Sequence, residues 1–492
     1  MKKIKLIIPI LTFLAIFMSC EDFSTDLEVL NTENPDDNIL TSDPVALVAT
    51  GEGILQNWYL TVHSTNAPGA AMATMADVSS CSWGNFGMRD ASSEPRVAFN
   101  NNSSYSYNVS RSYFNSLYAV LTDSNTLALA IANGTEFDDP ASVEMIAKLG
   151  QALSIGYLAL VFDTVWVFDE TGTIAGTGRF ESSSTYSEAM TFALAKLDEA
   201  ITLAEENNLS LSEVALPGGG GANATLIQFM NSMGARMLVG NLRNSEEKAA
   251  ADWDRVLEYA NSGMTADFEI YMDDSSWYDL IPKTYLVYPG WGRTDMRVVN
   301  KMDPTQPDYW EDGVTLIEES TDPIDDRLNT DYEYLSSNSF AAARGYYHYS
   351  NYRYSALDDY ISIWTINVVE ISKSENDMYI AEALANKSAP DLAAAAAVIN
   401  AGTRVVRGKL PEVAADADAI AEAIHHERIV EFAYTGTGLT FFEMRKENLL
   451  QSGTLLHFPV PGTALESIPA EYYTFGGTEG VAGTDYSTGG WR

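Results

Sequence analysis

Cysteine is almost absent. Two residues, Cys20 and Cys81, stand in a chain of 492. That excludes a disulfide framework and a zinc site with four cysteine ligands. Histidine is scarce too, with five residues, which narrows the options for catalysis and metal binding. Basic side chains are few: 29 Lys and Arg stand against 68 Asp and Glu, for a net charge of −39. Affinity for nucleic-acid backbones and for anionic lipid comes mainly from Lys and Arg, so the charge excludes both as electrostatic partners. Acidity often serves solubility and names no substrate. No apolar run reaches the ~20 residues that span a bilayer. What the chain does have is 46% hydrophobic and 20% charged residues, enough for a sizeable core and incompatible with wholesale disorder.

The N-terminus reads as an address. Lys2, Lys3 and Lys5 precede the apolar stretch Leu6–Met18, as in a secretory signal. Ser19 then precedes Cys20, and Phe17-Met18-Ser19-Cys20 resembles a bacterial lipobox. The expectation is a lipoprotein signal peptide over 1–19, lipidation of Cys20, and a polar tether over 20–43. The rest would be a body held to a membrane by acyl chains. Glu21 and Asp22 resemble the export signal of surface lipoproteins.

Beyond the tether, helix signals dominate. Tyr113, Leu117, Val120, Leu121, Leu127 and Ile131 keep helical spacing up to Gly134. Asp139-Pro140 reads as an N-cap with proline at the first helical position, opening an apolar helix to about 162. Thr185 and Glu188 fit a capping box, followed by the stripe Met190, Leu194, Leu197, Ile201 and Ala204. Further helices are expected from Asn223, over Asp252–Asn261, Ile371–Asn386 and Asp391–Asn400, and over Asp416–Ala433. Between about 264 and 368, proline and turn residues break the pattern and aromatic residues become frequent. The tail after Phe475, rich in Gly and Thr, reads as irregular. Paired helices with short links predict an all-α chain of tetratricopeptide-like helix pairs. The domain prediction is one body over 44–492 with an irregular lobe at about 264–368.

Four segments, in order, resemble the SusD/RagB family of outer-membrane nutrient-binding lipoproteins. They are Lys148–Asp169, the helix pair Asn223–Gly263, Ser374–Gly408 with Ala381-Glu382-Ala383, Ile399-Asn400, Arg404 and Arg407, and His426–Ser467 with Glu427-Arg428 and Glu431-Phe432. The chain departs from the family pattern at Thr435–Leu439. The resemblance implies a helix-pair superhelix with an irregular second lobe. It also implies a surface-exposed, lipid-anchored protein of the outer membrane that works with a TonB-dependent, SusC-like transporter barrel. Its ligand would be a glycan or, in some members, a peptide.

No catalytic motif competes with that reading. No nucleophile elbow G-x-S-x-G is present. Gly402–Lys409 has the wrong spacing for a phosphate loop, and His425-His426-Glu427 lacks the second histidine of H-E-x-x-H. The two histidines are expected on a helix surface. Asp322–Asp331 could offer carboxylates to calcium but lacks an EF-hand register and reads as a solvated loop. With 68 acids, the two-carboxylate requirement of a glycosidase does not discriminate. No enzyme, cofactor or metal is therefore expected, a surface glycosidase being the least favoured alternative. Sugar binding needs flat rings for the C–H faces of pyranoses and polar groups for hydroxyls. Two clusters have that mix. One holds Trp83, Asn85, Phe86, Arg89 and Asp90; the other holds Tyr285, Tyr288, Trp291 and Arg293, with Trp310 nearby. Tyr157, Phe162, Trp166 and Trp253 are assigned to the core, and Glu427, Arg428 and Glu431 to structural ion pairs.

Overall fold

Several of the helices begin where the sequence supplies a cap. The computed structural model describes residues 43–81, 84–103, 109–172, 183–309, 317–336, 349–478 and 485–492. Cys20, Trp83 and Trp310 lie outside them. Helices α1 (Pro44–Val62), α2 (Gly69–Met75) and α3 (Arg111–Ala132) lead to α4 (Pro140–Val161). Asp139 accepts a hydrogen bond from the Ser142 amide at 3.1 Å, which satisfies one of the orphan donors of the α4 first turn. Helix α5 (Tyr186–Asn207) carries the expected capping box. Thr185 Oγ1 accepts from the Glu188 amide and Glu188 accepts from the Thr185 amide at 2.9 Å. Helices α6 (Asn223–Gly240) and α7 (Trp253–Asn261) follow; the Trp253 indole is buried and donates to the Lys248 carbonyl at 2.9 Å.

Helices α1, α3, α4, α5, α6 and α7 pack in sequence as neighbours, and the row continues through α8 (Lys373–Asn386), α9 (Leu392–Ala401) and α10 (Ala417–Val430). The tetratricopeptide-like superhelix is thus the observed architecture. Helix α4 sits at its centre, buried on all sides, including Tyr157 and Leu158. Phe162 and Trp166, just beyond it, are buried as expected. It is the one helix among the described residues long and apolar enough to cross a membrane, and it is a core helix. Gly150 makes that centre possible: a Cβ there would stand 2.2 Å from Ser124 Oγ of α3. A smaller apolar core of Met378, Ala395, Ile399, Ile420 and Ile424 joins α8, α9 and α10.

Four two-stranded antiparallel ladders occur among the described residues. Strand β1 (Ser79–Cys81) pairs with β3 (Gly292–Thr294), β2 (Phe268–Tyr271) with β6 (Asn367–Ile371), and β4 (Tyr332–Tyr334) with β5 (Tyr352–Tyr354). The fourth joins Thr164–Val165 to Ser184–Thr185. The lobe between α7 and α8 is therefore short strands, turns and one-turn helices, as its composition predicts. Two boundaries differ from expectation. Ile371 ends a strand because Val368, Val369 and Ile371 are β-branched and pair with β2, and Ser372 caps α8 only afterwards. Helix α11 (Leu439–Lys446) is not among the expected helices; the left-handed Gly438 starts it.

The His425-His426 expectation is overturned. Both are buried, because α10 turns this face into ion-pair networks. His425 meets Glu443 at 3.0 Å and Arg297 at 2.9 Å; His426 meets Asp325 at 2.8 Å. Glu427 pairs with Arg327 at 2.8 Å, and Arg428 with Glu382 at 2.6 Å and Glu443 at 2.9 Å. Glu431 pairs with Arg327 and Arg407. These charges are structural partners, as the sequence suggests. The Asp322–Asp331 stretch is not simply a solvated loop: Asp325 and Arg327 are fully buried against each other at 2.7 Å.

Candidate functional site

The β1–β3 ladder brings the two aromatic clusters of the sequence together. Ser80 pairs with Arg293 and Cys81 with Gly292, so the loop after β1 and the turn before β3 leave the ladder side by side. In the first loop Phe86 and Gly87 adopt positive φ, at 53° and 81°, and the buried Met88 anchors it from below. Phe86 meets Tyr285 edge-on, with ring centroids 4.7 Å apart.

A π-helical turn, Ile281–Tyr285, feeds the second loop. The Tyr288 amide donates to the Thr284 carbonyl at 2.9 Å, and the Trp291 amide to the Tyr288 carbonyl at 2.9 Å, closing a β-turn over Pro289-Gly290. Gly292 is required by close approach: a Cβ there would stand 1.8 Å from the Leu286 carbonyl oxygen. The result is a run of rings. Tyr285 lies 5.3 Å from Trp291, and Trp291 stacks on Tyr288 at 4.7 Å with 30° between planes. Tyr285 is buried and supports the run from within; Tyr288 and Trp291 are each 37% exposed. Large exposed rings held rigidly by turns form a surface on which an apolar face can stack.

Arg293 is a correction. It is buried, because its guanidinium donates to the carbonyls of Pro289 and Gly292 at 2.7 Å and so props the turn from beneath. Burial, aided by the neighbouring Arg353, lowers its pKa to about 10. Asn85 and Arg89 are exposed on the first loop, with Arg89 paired to Asp90 at 3.3 Å. Asp90 also lines a cavity of about 130 Å³ shared with Arg96 and Phe99. Of the other tyrosines of the lobe, Tyr309 is half-buried, whereas Tyr349 and Tyr352 are buried; the Tyr352 hydroxyl accepts from the Ser320 amide at 2.7 Å.

The residues that hold the π turn were not singled out by sequence. Asp279 accepts from the amides of Ile281 and Lys283 at 3.1 Å each, and its carboxylate meets Lys283 Nζ at 3.2 Å. The spacing of Asp279 and Lys283 by four residues is a helical pair signal, but nothing marks it as buried. Among the described residues no group of His, Cys, Asp or Glu is arranged to hold a metal ion.

No protein-family model matches the chain, and no curated protein does. Solved structures do. A SusD superfamily protein from Parabacteroides distasonis aligns with a TM-score of 0.59 at 14% identity, covering 86% of this chain and 98% of that one. A SusD-like carbohydrate binding protein from Bacteroides fragilis aligns with a TM-score of 0.59 at 13% identity, covering 82% and 86%. The chain has the SusD-like fold. A third SusD superfamily protein, from Bacteroides vulgatus, aligns at 17% identity with a TM-score of 0.54. At such identities the shared SusD-like architecture lies in how helices and lobe are arranged, and the aromatic turn must be judged on its own geometry.

Proposed function

We propose that the chain is a non-catalytic, glycan-binding surface lipoprotein of a nutrient-uptake complex. Cys20 carries the lipid anchor at the outer membrane. The body presents Tyr288 and Trp291 to an oligosaccharide and hands it to a TonB-dependent, SusC-like transporter. The stacked, exposed Tyr288–Trp291 pair is the observation that carries the reading. Asn85, Phe86 and Arg89 extend the surface, with the polar groups serving hydroxyls; Trp83 and Trp310, outside the described residues, are assigned to the same ligand from the sequence alone. The SusD-like fold and a neighbour described as carbohydrate binding support the choice of ligand.

Calorimetry against a panel of oligosaccharides and peptides tests it. Saturable glycan binding, lost in Trp291→Ala and Trp83→Ala, with no new reducing ends on prolonged incubation, is the expected result. Binding only to peptides would replace the ligand class. Release of reducing ends would make the protein a hydrolase. Co-purification of a barrel transporter with the tagged, membrane-anchored chain tests the partner.

A further inference from the structure

His63 follows α1 and is fully enclosed. Both of its ring nitrogens lie beside carboxylates: Nδ1 hydrogen-bonds Asp279 Oδ2 at 2.5 Å, and Nε2 lies 3.2 Å from Glu370 Oε2, at ion-pair distance but out of hydrogen-bond alignment. A neutral imidazole carries one N–H and one lone pair, so one of these contacts would set a lone pair against a carboxylate. His425 provides the contrast within the same molecule. It faces Glu443 on one side and Arg297 on the other, and a single proton satisfies both.

The charge count around His63 agrees. Lys283 lies 3.2 Å from Asp279 and 3.8 Å from Glu370, and Arg236 pairs with Glu370 at 2.7 Å and Glu375 at 2.8 Å. Asp279, Glu370 and Glu375 are thus matched by Lys283, Arg236 and a protonated His63; a neutral His63 leaves a buried negative charge uncompensated. The other titratable neighbours are phenols. Tyr59 stacks on the imidazole with centroids 4.0 Å apart, Tyr360 accepts from the Asp279 amide, Tyr157 accepts from Arg236, and Tyr379 donates to Glu375 at 2.9 Å. Burial raises the pKa of all four phenols, so they stay neutral.

We propose that His63 is held as an imidazolium and acts as the positioning residue of the aromatic turn, a latch that loosens it when the proton is lost at alkaline pH. The path is short. Asp279 caps the π turn through the Ile281 and Lys283 amides, and the end of that turn holds Tyr285 and, through the Thr284 carbonyl, Tyr288. The His63 carbonyl itself accepts from the Leu280 amide at 3.3 Å. The sign follows. Burial opposes the imidazolium, but Asp279 and Glu370 outweigh it and raise its pKa above 6.5. The latch is therefore complete below about pH 6.5, and it is lost as pH rises through the raised folded value. A functional consequence for ligand binding rests on the reading of Tyr288–Trp291 as the ligand surface.

The experiment uses the full soluble chain with ¹⁵N-labelled histidine and 5-fluorotryptophan. At pH 7 both His63 nitrogens should show imidazolium shifts. On raising the pH, loss of that signal should coincide with a change at the ¹⁹F resonance assigned through Trp291→Phe, and with a fall of about tenfold in glycan affinity. In Glu370→Gln one carboxylate is gone and a neutral His63 balances the cluster, so the alkaline change at Trp291 should disappear while the turn stays formed. A neutral tautomer at pH 7 in the wild type overturns the proposal. So does a His63 titration that leaves the Trp291 resonance unmoved. The ¹⁹F readout needs no ligand, so a wrong ligand assignment would abolish only the affinity arm and leave the latch decided.

Discussion

The helical body and the irregular lobe both bury charge, but among the described residues the lobe also sets stacked rings at its surface. The body buries charge and satisfies it across long sequence separations. Arg236 of α6 reaches Glu370 of β6 and Glu375 of α8. Arg445 of α11 is buried among the carbonyls of Leu160 and Gly240, at the C-terminal ends of α4 and α6, and of Leu456. The lobe adds Tyr288 and Trp291, half-exposed on a tight turn. Truncating a buried charge and truncating an exposed ring should therefore have different effects.

The largest effect falls on the body. Arg236→Ala leaves Glu370 and Glu375 buried without their guanidinium and should cost about 3–5 kcal/mol, read as a large drop in Tm or as failure to fold. Next comes a pH dependence. Burial first, and then Arg243 and Arg445 nearby, lower the pKa of His457 from 6.5 to about 4. Above pH 6.5 it is neutral whether folded or not. As pH falls from 6.5 towards 4, the unfolded chain takes up a proton that the folded one resists, and stability drops by about 3 kcal/mol. Denaturant titrations of His457→Gln should lack that share of the acid dependence. In the lobe, Trp291→Ala should weaken glycan binding by about 2 kcal/mol, the cost of a central aromatic anchor, while Tm barely moves. A Tm drop comparable with that of Arg236→Ala would erase the contrast. The smallest change, Thr185→Ala, removes half of a capping box and should lower stability by about 1 kcal/mol without touching affinity.

Legibility followed the same divide. Helices α4, α5 and α7 could be bounded because Asp139-Pro140, Thr185-Glu188 and Asp252 are local signals, read within one turn of chain. The paired helices and the aromatic lobe came from the same kind of information. The burial of His425 and His426 could not, because it depends on Asp325, Arg297 and Glu443 arriving from other elements. The start of α8 was misplaced for a related reason: Val368 and Val369 suit a helix or a strand, and pairing with β2 decides. At the candidate site, ring-rich turns marked two segments that the β1–β3 ladder sets side by side. That Arg293 props the turn while Trp291 faces outward is set by the β1–β3 register and by the chain crossing at Leu286, neither of which has a local signature.

That register has one more consequence. Three residue pairs join Ser79–Cys81 to Gly292–Thr294, so the proposed ligand surface can form only after the helices between them have been synthesised. Closing so long a loop is entropically costly and belongs to the late, non-local part of folding. A chain that stops short of β3 can own its first helices and still lack the ladder on which the proposed surface rests, so under that proposal binding competence would report assembly past β3.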